Sequence, residues 1–122
     1  MIQKMLKNNI SSIVIHSCPS LRMSNGMSYS SRYKKFSISE EKIFYDVANL
    51  LMQGISDLRK FFDITIIEDL KNQLKENNIK KIDYLEIKDE IDLLSTSEKA
   101  NARLFVAFYI GKIRIIDNFI LY

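Results

Sequence analysis

A short polar segment, residues 26–32 with the sequence GMSYSSR, carries the side chains best suited to bind a phosphate group. Arg32 keeps its charge at any physiological pH and offers a planar fork of donors that matches two phosphate oxygens. Ser30 and Ser31 add hydroxyl and amide donors without bulk. Taken alone, this triplet is more typical of a solvated polar turn, because loops are commonly rich in serine.

Other residues with chemical potential are better explained by structural roles. His16, the only histidine, has no second histidine or acidic residue at ligand spacing, so no metal site is predicted. Cys18 has no neighbouring base and is predicted to be a small, partly buried side chain. Asp117 is predicted to cap backbone amides at the end of a strand, with catalysis as the alternative. No residue of this chain is predicted to be catalytic.

Composition predicts one folded domain. The chain has 122 residues, of which 47% are apolar and 11% aromatic, enough to build a core. A net charge of +3 is spread along the chain and indicates no particular partner.

Lys34 and Lys35 could contact a nucleic-acid backbone, but a solvated loop is the favoured interpretation, so no nucleic-acid partner is predicted. No apolar run approaches membrane-spanning length, a single cysteine excludes an internal disulfide, and the expected location is the cytoplasm.

The first part of the chain has the pattern of a helix followed by a strand. Residues 1–9 carry an apolar face, after which residues 13–15 form a β-branched run that predicts a short buried strand; the apolar face consists of Ile2, Met5 and Leu6. Such a pair is typical of one unit of a parallel α/β sheet. Residues 17–37 then lack regular apolar spacing and predict a long loop.

Two helices are predicted next. Ser37 and Glu40 form a capping box, in which each side chain accepts a hydrogen bond from the other residue's backbone amide. An apolar stripe follows, and Gly54 is the predicted end of this helix; the stripe consists of Ile43, Phe44, Val47, Leu50 and Leu51, with Ile55 as a further candidate. A second helix over residues 64–77 turns Ile67, Leu70 and Leu74 inward and ends at Asn77-Asn78 in a left-handed turn.

The remaining pattern predicts three strands. Residues 82–87 alternate, with the inward face left open, while residues 103–109 and 113–121 flank Gly111, which supplies the positive φ of a hairpin turn. A lone hairpin cannot bury enough apolar area to persist, so helices should cover one sheet face. The predicted fold class is α+β: a two-layer domain with a three-stranded antiparallel sheet, preceded by the helix-strand unit.

Three blocks of sequence, in order, resemble the pantothenate synthetase family. Residues 18–32 (CPSLRMSNGMSYSSR) are similar to the family's second nucleotide-binding segment, whose usual form is PTVRExDGLAxSSRN. Residues 82–89 (IDYLEIKD) are similar to its IDYLEIRD, and residues 107–118 to its AxxxGxxRLIDN. The ordered combination is more specific than any single block. The chain therefore resembles the C-terminal part of this family.

The resemblance implies an ATP-dependent ligase that joins pantoate to β-alanine. In the family, the pantoate carboxylate attacks the α-phosphorus of ATP, pyrophosphate leaves, and pantoyl-adenylate remains bound; Mg²⁺ is expected with the nucleotide. By position, Leu21 and Tyr29 correspond to residues that line the adenine site. Ser30, Ser31 and Arg32 correspond to residues that hold the β- and γ-phosphates. The family is typically homodimeric.

The resemblance also implies a domain organisation. Residues 1–17 would be a remnant of an N-terminal Rossmann-like nucleotide-binding domain, residues 18–36 the phosphate-binding loop and linker, and residues 37–122 the C-terminal lid domain. The family's histidine motif and its pantoate-binding glutamines have no counterpart here, so the chain is expected to need the N-terminal half for activity. Tyr33 stands where the family has asparagine. The alternative is a truncated or repurposed module that binds a partner through residues 1–9.

Overall fold

The computed structural model describes Met5, Lys7 and residues 12–122. Two helices, α1 (Ile38–Phe61) and α2 (Thr65–Glu76), precede three strands, β1 (Lys81–Asp89), β2 (Ala102–Ile110) and β3 (Ile113–Ile120). The strands form one antiparallel sheet in the order β1-β2-β3. Both helices pack against one face of this sheet. The α+β fold predicted from the sequence is thereby confirmed.

The first helix begins as its sequence predicts. The Ser37 hydroxyl accepts from the Glu40 backbone amide at 3.2 Å, and the Glu40 carboxylate accepts from the Ser37 amide at 2.9 Å. The predicted end at Gly54 is wrong, because α1 continues to Phe61. A Cβ atom at Gly54 would lie 2.9 Å from Cδ2 of Leu70, so this glycine lets the two helices approach closely.

The second helix follows its prediction closely. Its buried residues are the predicted Ile67, Leu70 and Leu74. Asn78 has a φ of +68°, and the Ile79 amide donates to the Leu74 carbonyl at 3.0 Å, which closes the helix with a left-handed residue.

A β-bulge settles which face of β1 is inward. The pairing with β2 shifts between Ile82 and Tyr84, so that Asp83 is an extra residue. Leu85 and Ile87 are buried, and the shift lets Ile82 pack against the same core. Simple alternation would have put Ile82 on the opposite face from Leu85. At the other end of the sheet, Gly111 has a φ of +56° in the β2–β3 turn, as predicted.

The N-terminal part of the chain differs from its prediction. Residues 13–15 form no strand, and Ile13 and Val14 are 66% and 72% exposed, so the predicted buried strand is wrong. A strand is stabilised by backbone pairing with a neighbouring strand, and the sheet in the described part of the chain consists of β1, β2 and β3. The helix predicted over residues 1–9 lies outside the described residues, apart from Met5 and Lys7. Within the described chain, no helix is both long and apolar enough to span a bilayer.

Candidate functional site

The two residues predicted to line a nucleotide base lie side by side. The Tyr29 backbone amide donates to the Leu21 carbonyl at 3.2 Å, and Arg22 and Ser28 form an antiparallel bridge next to that bond. Gly26, with a φ of +86°, turns the chain between them. Leu21 is 80% exposed and Tyr29 is 68% exposed. The loop therefore presents an aliphatic and an aromatic side chain together on its outer side.

The tip of this loop is anchored in the core. Met27 is fully buried, and its backbone amide donates to the Asn25 side chain at 3.1 Å. The Met23 amide donates to the Met27 carbonyl at 2.8 Å, which tightens the turn. Burial of Met27 thus anchors the loop in the core, while the side chains of Leu21 and Tyr29 stay in solvent.

The predicted phosphate-binding triplet opens a short 3₁₀ helix, Ser31–Lys35, inside the segment predicted to be a loop. The Ser30 hydroxyl accepts from the Arg32 backbone amide at 3.2 Å, so Ser30 caps this helix. Arg32 is exposed, and its Nη1 donates to the Arg114 carbonyl of β3 at 3.3 Å. Ser31 and Arg32 are therefore exposed and Ser30 is half-buried, on the same stretch of chain as Leu21 and Tyr29.

An ion pair that the sequence analysis missed fixes this loop to the sheet. Nη1 of Arg22 lies 3.1 Å from Oδ2 of Asp117, and the Ser28 backbone amide donates to the same oxygen at 2.8 Å. Oδ1 of Asp117 accepts from the Asn118 amide, a local contact of the predicted kind, but the predicted position at the end of a strand is wrong, because Asp117 lies within β3. The available signal was the position of Asp117 on the apolar face of β3, where a carboxylate needs a cationic or N–H partner.

Arginines cover the outer edge of β3 at three places. Arg32 donates to the Arg114 carbonyl, Arg22 donates to the Asn118 carbonyl at 2.7 Å, and Arg59 donates to the Ile120 carbonyl at 2.7 Å. An uncovered edge strand invites pairing with another chain. The arginines therefore protect this edge while they tie α1 and the loop to it.

Tyr33, which stands where the family has asparagine, belongs to an aromatic cluster. Its ring stacks on Phe36 with centroids 5.7 Å apart and contacts Phe44 at 4.5 Å. Burial raises the pKa of the Tyr33 hydroxyl, and the charge of Asp117 adds to the increase, whereas a hydrogen bond with the Ser28 side chain lowers the pKa. Tyr33 thus joins the predicted phosphate-binding triplet to the core.

The other residues considered from the sequence remain at the surface. His16, Lys34 and Lys35 are exposed, and Cys18 is an exposed thiol, so its predicted partial burial is wrong. No group of three or more histidine, cysteine or acidic side chains suited to a metal ion occurs in the described part of the chain.

A model of the pantoate–β-alanine ligase family matches residues 1–120, almost the entire chain. The chain belongs to this family. Pantothenate synthetase of Clostridium novyi (strain NT) is 34% identical over 128 residues, an alignment that covers 98% of this chain and 43% of that protein. Pantothenate synthetase of Francisella tularensis (strain WY96-3418) is 29% identical, with 98% of this chain and 38% of that protein covered. The chain spans about two-fifths of the length of these relatives.

Solved structures of the pantoate–β-alanine ligase family share this fold. The Francisella tularensis ligase, crystallised with β-γ ATP and β-alanine, matches 98% of this chain with a TM-score of 0.70 and 28% identity; 38% of that chain is covered. The pantothenate synthetase of Thermus thermophilus matches 99% of this chain with a TM-score of 0.84, and 45% of that chain is covered. At 22% identity, the second match supports the fold alone.

Proposed function

We propose that this chain is the C-terminal portion of an ATP-dependent ligase that joins pantoate to β-alanine through pantoyl-adenylate, with release of AMP and pyrophosphate. The observation that supports this most directly is the grouping of Leu21 and Tyr29 with Ser30 and the exposed Ser31 and Arg32 on one anchored segment. The similar ligase from Francisella tularensis was crystallised with β-γ ATP and β-alanine.

The proposed roles follow from the chemistry of these side chains. Leu21 and Tyr29 offer an aliphatic surface and an aromatic ring, which suit the flat faces of adenine. Arg32 would hold the β- and γ-phosphates with its forked donors, and Ser30 and Ser31 would add hydroxyl donors. These groups stabilise the negative charge that moves onto pyrophosphate when the α-phosphorus is attacked.

The candidate segment does not offer a set of ligands that suits the Mg²⁺ expected for this family. Mg²⁺ prefers carboxylate, phosphate and water oxygens in an octahedral arrangement. The candidate segment offers hydroxyls and a guanidinium, and no metal-ligating cluster occurs among the residues that the structure describes. No step of the proposed reaction is therefore assigned to a metal held by this chain.

The rest of the reaction is proposed to depend on an N-terminal portion. The family's histidine motif and pantoate-binding glutamines have no counterpart in this sequence. Residues 1–17 would then be what remains of a Rossmann-like domain, residues 18–36 the phosphate-binding segment and residues 37–122 a lid. The remaining contacts to ATP, together with the pantoate pocket, would come from a longer chain or from a separate polypeptide.

A complementation experiment tests this proposal. The chain is mixed with the N-terminal portion of the Clostridium novyi relative, and pantothenate is measured by mass spectrometry after addition of ATP, pantoate and β-alanine. The mixture should form pantothenate, and neither portion alone should do so. Synthesis by this chain alone would refute the division of roles. A stable complex of the two portions without synthesis would contradict the ligase role.

A second candidate function is a non-catalytic interaction module. It is favoured by the high exposure of Val14, whose apolar side chain would be removed from water by a partner; residues 1–9, the predicted contact surface, lie outside the described part of the chain apart from Met5 and Lys7. The two candidates differ in the complementation experiment, because an interaction module would bind the N-terminal portion without restoring pantothenate synthesis.

A further inference from the structure

Asp117 is the one charged residue in the buried interior of the described chain, with 6% of its surface exposed. Both of its carboxylate oxygens accept hydrogen bonds. Oδ1 accepts from the Asn118 backbone amide at 2.8 Å, and Oδ2 accepts from the Ser28 backbone amide at 2.8 Å. Arg22 adds two contacts, from Nη1 to Oδ2 at 3.1 Å and from Nη2 to Oδ1 at 3.4 Å. A buried carboxylate is thus shared between β3 and the loop that contains Ser28.

Arg22 also links the turn of this loop to the backbone of β3. Its Nη1 also donates to the Gly26 carbonyl at 2.9 Å, and its Nη2 donates to the Asn118 carbonyl at 2.7 Å. The guanidinium carbon lies 4.5 Å from the centre of the Phe119 ring, in cation–π geometry. One side chain therefore contacts the loop turn, the strand backbone, the strand carboxylate and an aromatic ring.

We propose that Asp117 and Arg22 are positioning residues, which hold residues 28–32 in the conformation that receives the nucleotide. Ser28, whose amide is bound to Asp117, directly precedes Tyr29 and Ser30. Neither Asp117 nor Arg22 is proposed to contact the nucleotide. The pair acts through the backbone that carries the proposed nucleotide-binding residues. This inference rests on the proposed function, because that function gives residues 29–32 their ligand.

The geometry favours positioning over general stabilisation. A buried ion pair commonly gives little net stability, and well-packed apolar residues of similar volume often stabilise a protein as much or more. The fork of Arg22 and the two oxygens of Asp117 instead impose a fixed distance and direction between the loop and β3. A stabilising role predicts that loss of the pair weakens the whole fold, whereas a positioning role predicts a local effect on residues 28–32.

Hydrogen exchange separates these two roles without any nucleotide. Asp117→Asn keeps the size of the side chain but removes its charge and one acceptor oxygen. Leu70→Ala is the control, because Leu70 is buried at the contact between α1 and α2 and its truncation lowers global stability without touching the loop. The amides of Tyr29 and Arg32, which donate to the Leu21 carbonyl and the Ser30 hydroxyl, should exchange roughly tenfold faster in Asp117→Asn than in Leu70→Ala, since they open locally. Equal rates in the two variants would overturn the proposal.

A double variant tests whether the two side chains act as a unit. If they do, Arg22→Gln should add little to the exchange rates already raised by Asp117→Asn, because one interaction cannot be lost twice. Independent, multiplicative effects would overturn the pairing. Should Asp117→Asn fail to fold, Arg22→Gln alone is compared with Leu70→Ala, since the Arg22 side chain is one-third exposed and its replacement leaves the interior packed.

Kinetics in the complemented mixture test the link to nucleotide. Asp117→Asn should raise the KM for ATP roughly tenfold while the KM for β-alanine stays within about twofold of the wild-type value. An equal rise in both constants would overturn a role specific to nucleotide. If the wild-type mixture makes no pantothenate, the proposed function fails, and the exchange rates still decide whether Asp117 positions residues 28–32.

Discussion

Arg32 makes the most specific prediction at the scale of single residues. Its side chain is exposed and donates to one backbone carbonyl, that of Arg114, over 3.3 Å, so its guanidinium can turn to a ligand at small cost. In the complemented mixture, Arg32→Ala should lower kcat about 100-fold or more, as removal of one donor to a developing charge typically does. Arg32→Lys should recover only part of the rate, because lysine lacks the fork.

The control for this prediction is Lys34→Ala, which removes a positive charge from the same 3₁₀ helix. Lys34→Ala should change the rate less than about threefold, and its effect should shrink as salt is raised. Steady-state kinetics at two salt concentrations measure both variants. Similar losses from Arg32→Ala and Lys34→Ala would mean that the segment contributes only general positive charge.

Tyr33 gives a prediction for stability at high pH. Burial, aided by the charge of Asp117, raises the pKa of its hydroxyl in the folded state. The folded protein therefore keeps this proton when the unfolded chain has begun to lose it. The stabilisation is complete below the unfolded pKa near 10 and is lost as pH rises through the folded pKa.

The measurement is urea denaturation of the wild type and of Tyr33→Phe between about pH 8 and 11, values chosen to bracket the ordinary tyrosine pKa. The free energy of unfolding should fall more steeply with pH in the wild type. Tyr29→Phe is the control, since Tyr29 is exposed and its replacement should leave the slope unchanged. Parallel slopes for the wild type and Tyr33→Phe would contradict the altered pKa.

At the scale of secondary structure, the capping box at the start of α1 should contribute measurably to the free energy of unfolding. Ser37→Ala removes the hydroxyl that accepts from the Glu40 amide, so the free energy of unfolding should fall by about 1 kcal/mol. Ser37→Gly should cost only a few tenths of a kcal/mol. Ser24→Ala, at an exposed serine outside the helix, serves as the control and should be nearly neutral. Equal losses at Ser37 and Ser24 would show that the capping box is not what stabilises this helix end.

The elements that sequence predicted well depend on local chemistry. The capping box, the left-handed Asn78 and the turn at Gly111 each need only a few adjacent residues, and all three were confirmed. The end of α1 was predicted wrongly because Gly54 is explained by its contact with Leu70 of another helix. The bulge at Asp83 could not be predicted either, since the register of a strand is set by its partner.

The candidate site shows the same division between local and distant information. The motif located the segment from Leu21 to Arg32, because its residues are adjacent in sequence. The contact between Arg22 and Asp117 joins residues 95 positions apart, and nothing in the local pattern links them. The prediction of a buried strand over residues 13–15 was wrong for a related reason. A strand forms by pairing with another strand, and the local sequence does not specify that partner.

At the scale of the whole molecule, several apolar side chains in the first 30 residues remain exposed. Val14 and Leu21 are 72% and 80% exposed, and Tyr29 is close to Leu21. Relatives of this chain are more than twice as long, as the covered share of 43% in Clostridium novyi indicates. We expect the additional portion of a complete ligase to cover these side chains, because removal of exposed apolar groups from water lowers the free energy of the complex.

Association with the N-terminal portion of the Clostridium novyi relative tests this expectation in the absence of ATP. Val14→Ser should raise the dissociation constant roughly tenfold, since burial of a valine side chain contributes about 1.5 kcal/mol and each 1.4 kcal/mol is a factor of ten. Ile91→Ser is a matched control: Ile91 is 73% exposed but lies in the connection between β1 and β2. Titration calorimetry measures both variants. If Ile91→Ser weakens association as much as Val14→Ser does, the additional portion does not specifically cover Val14.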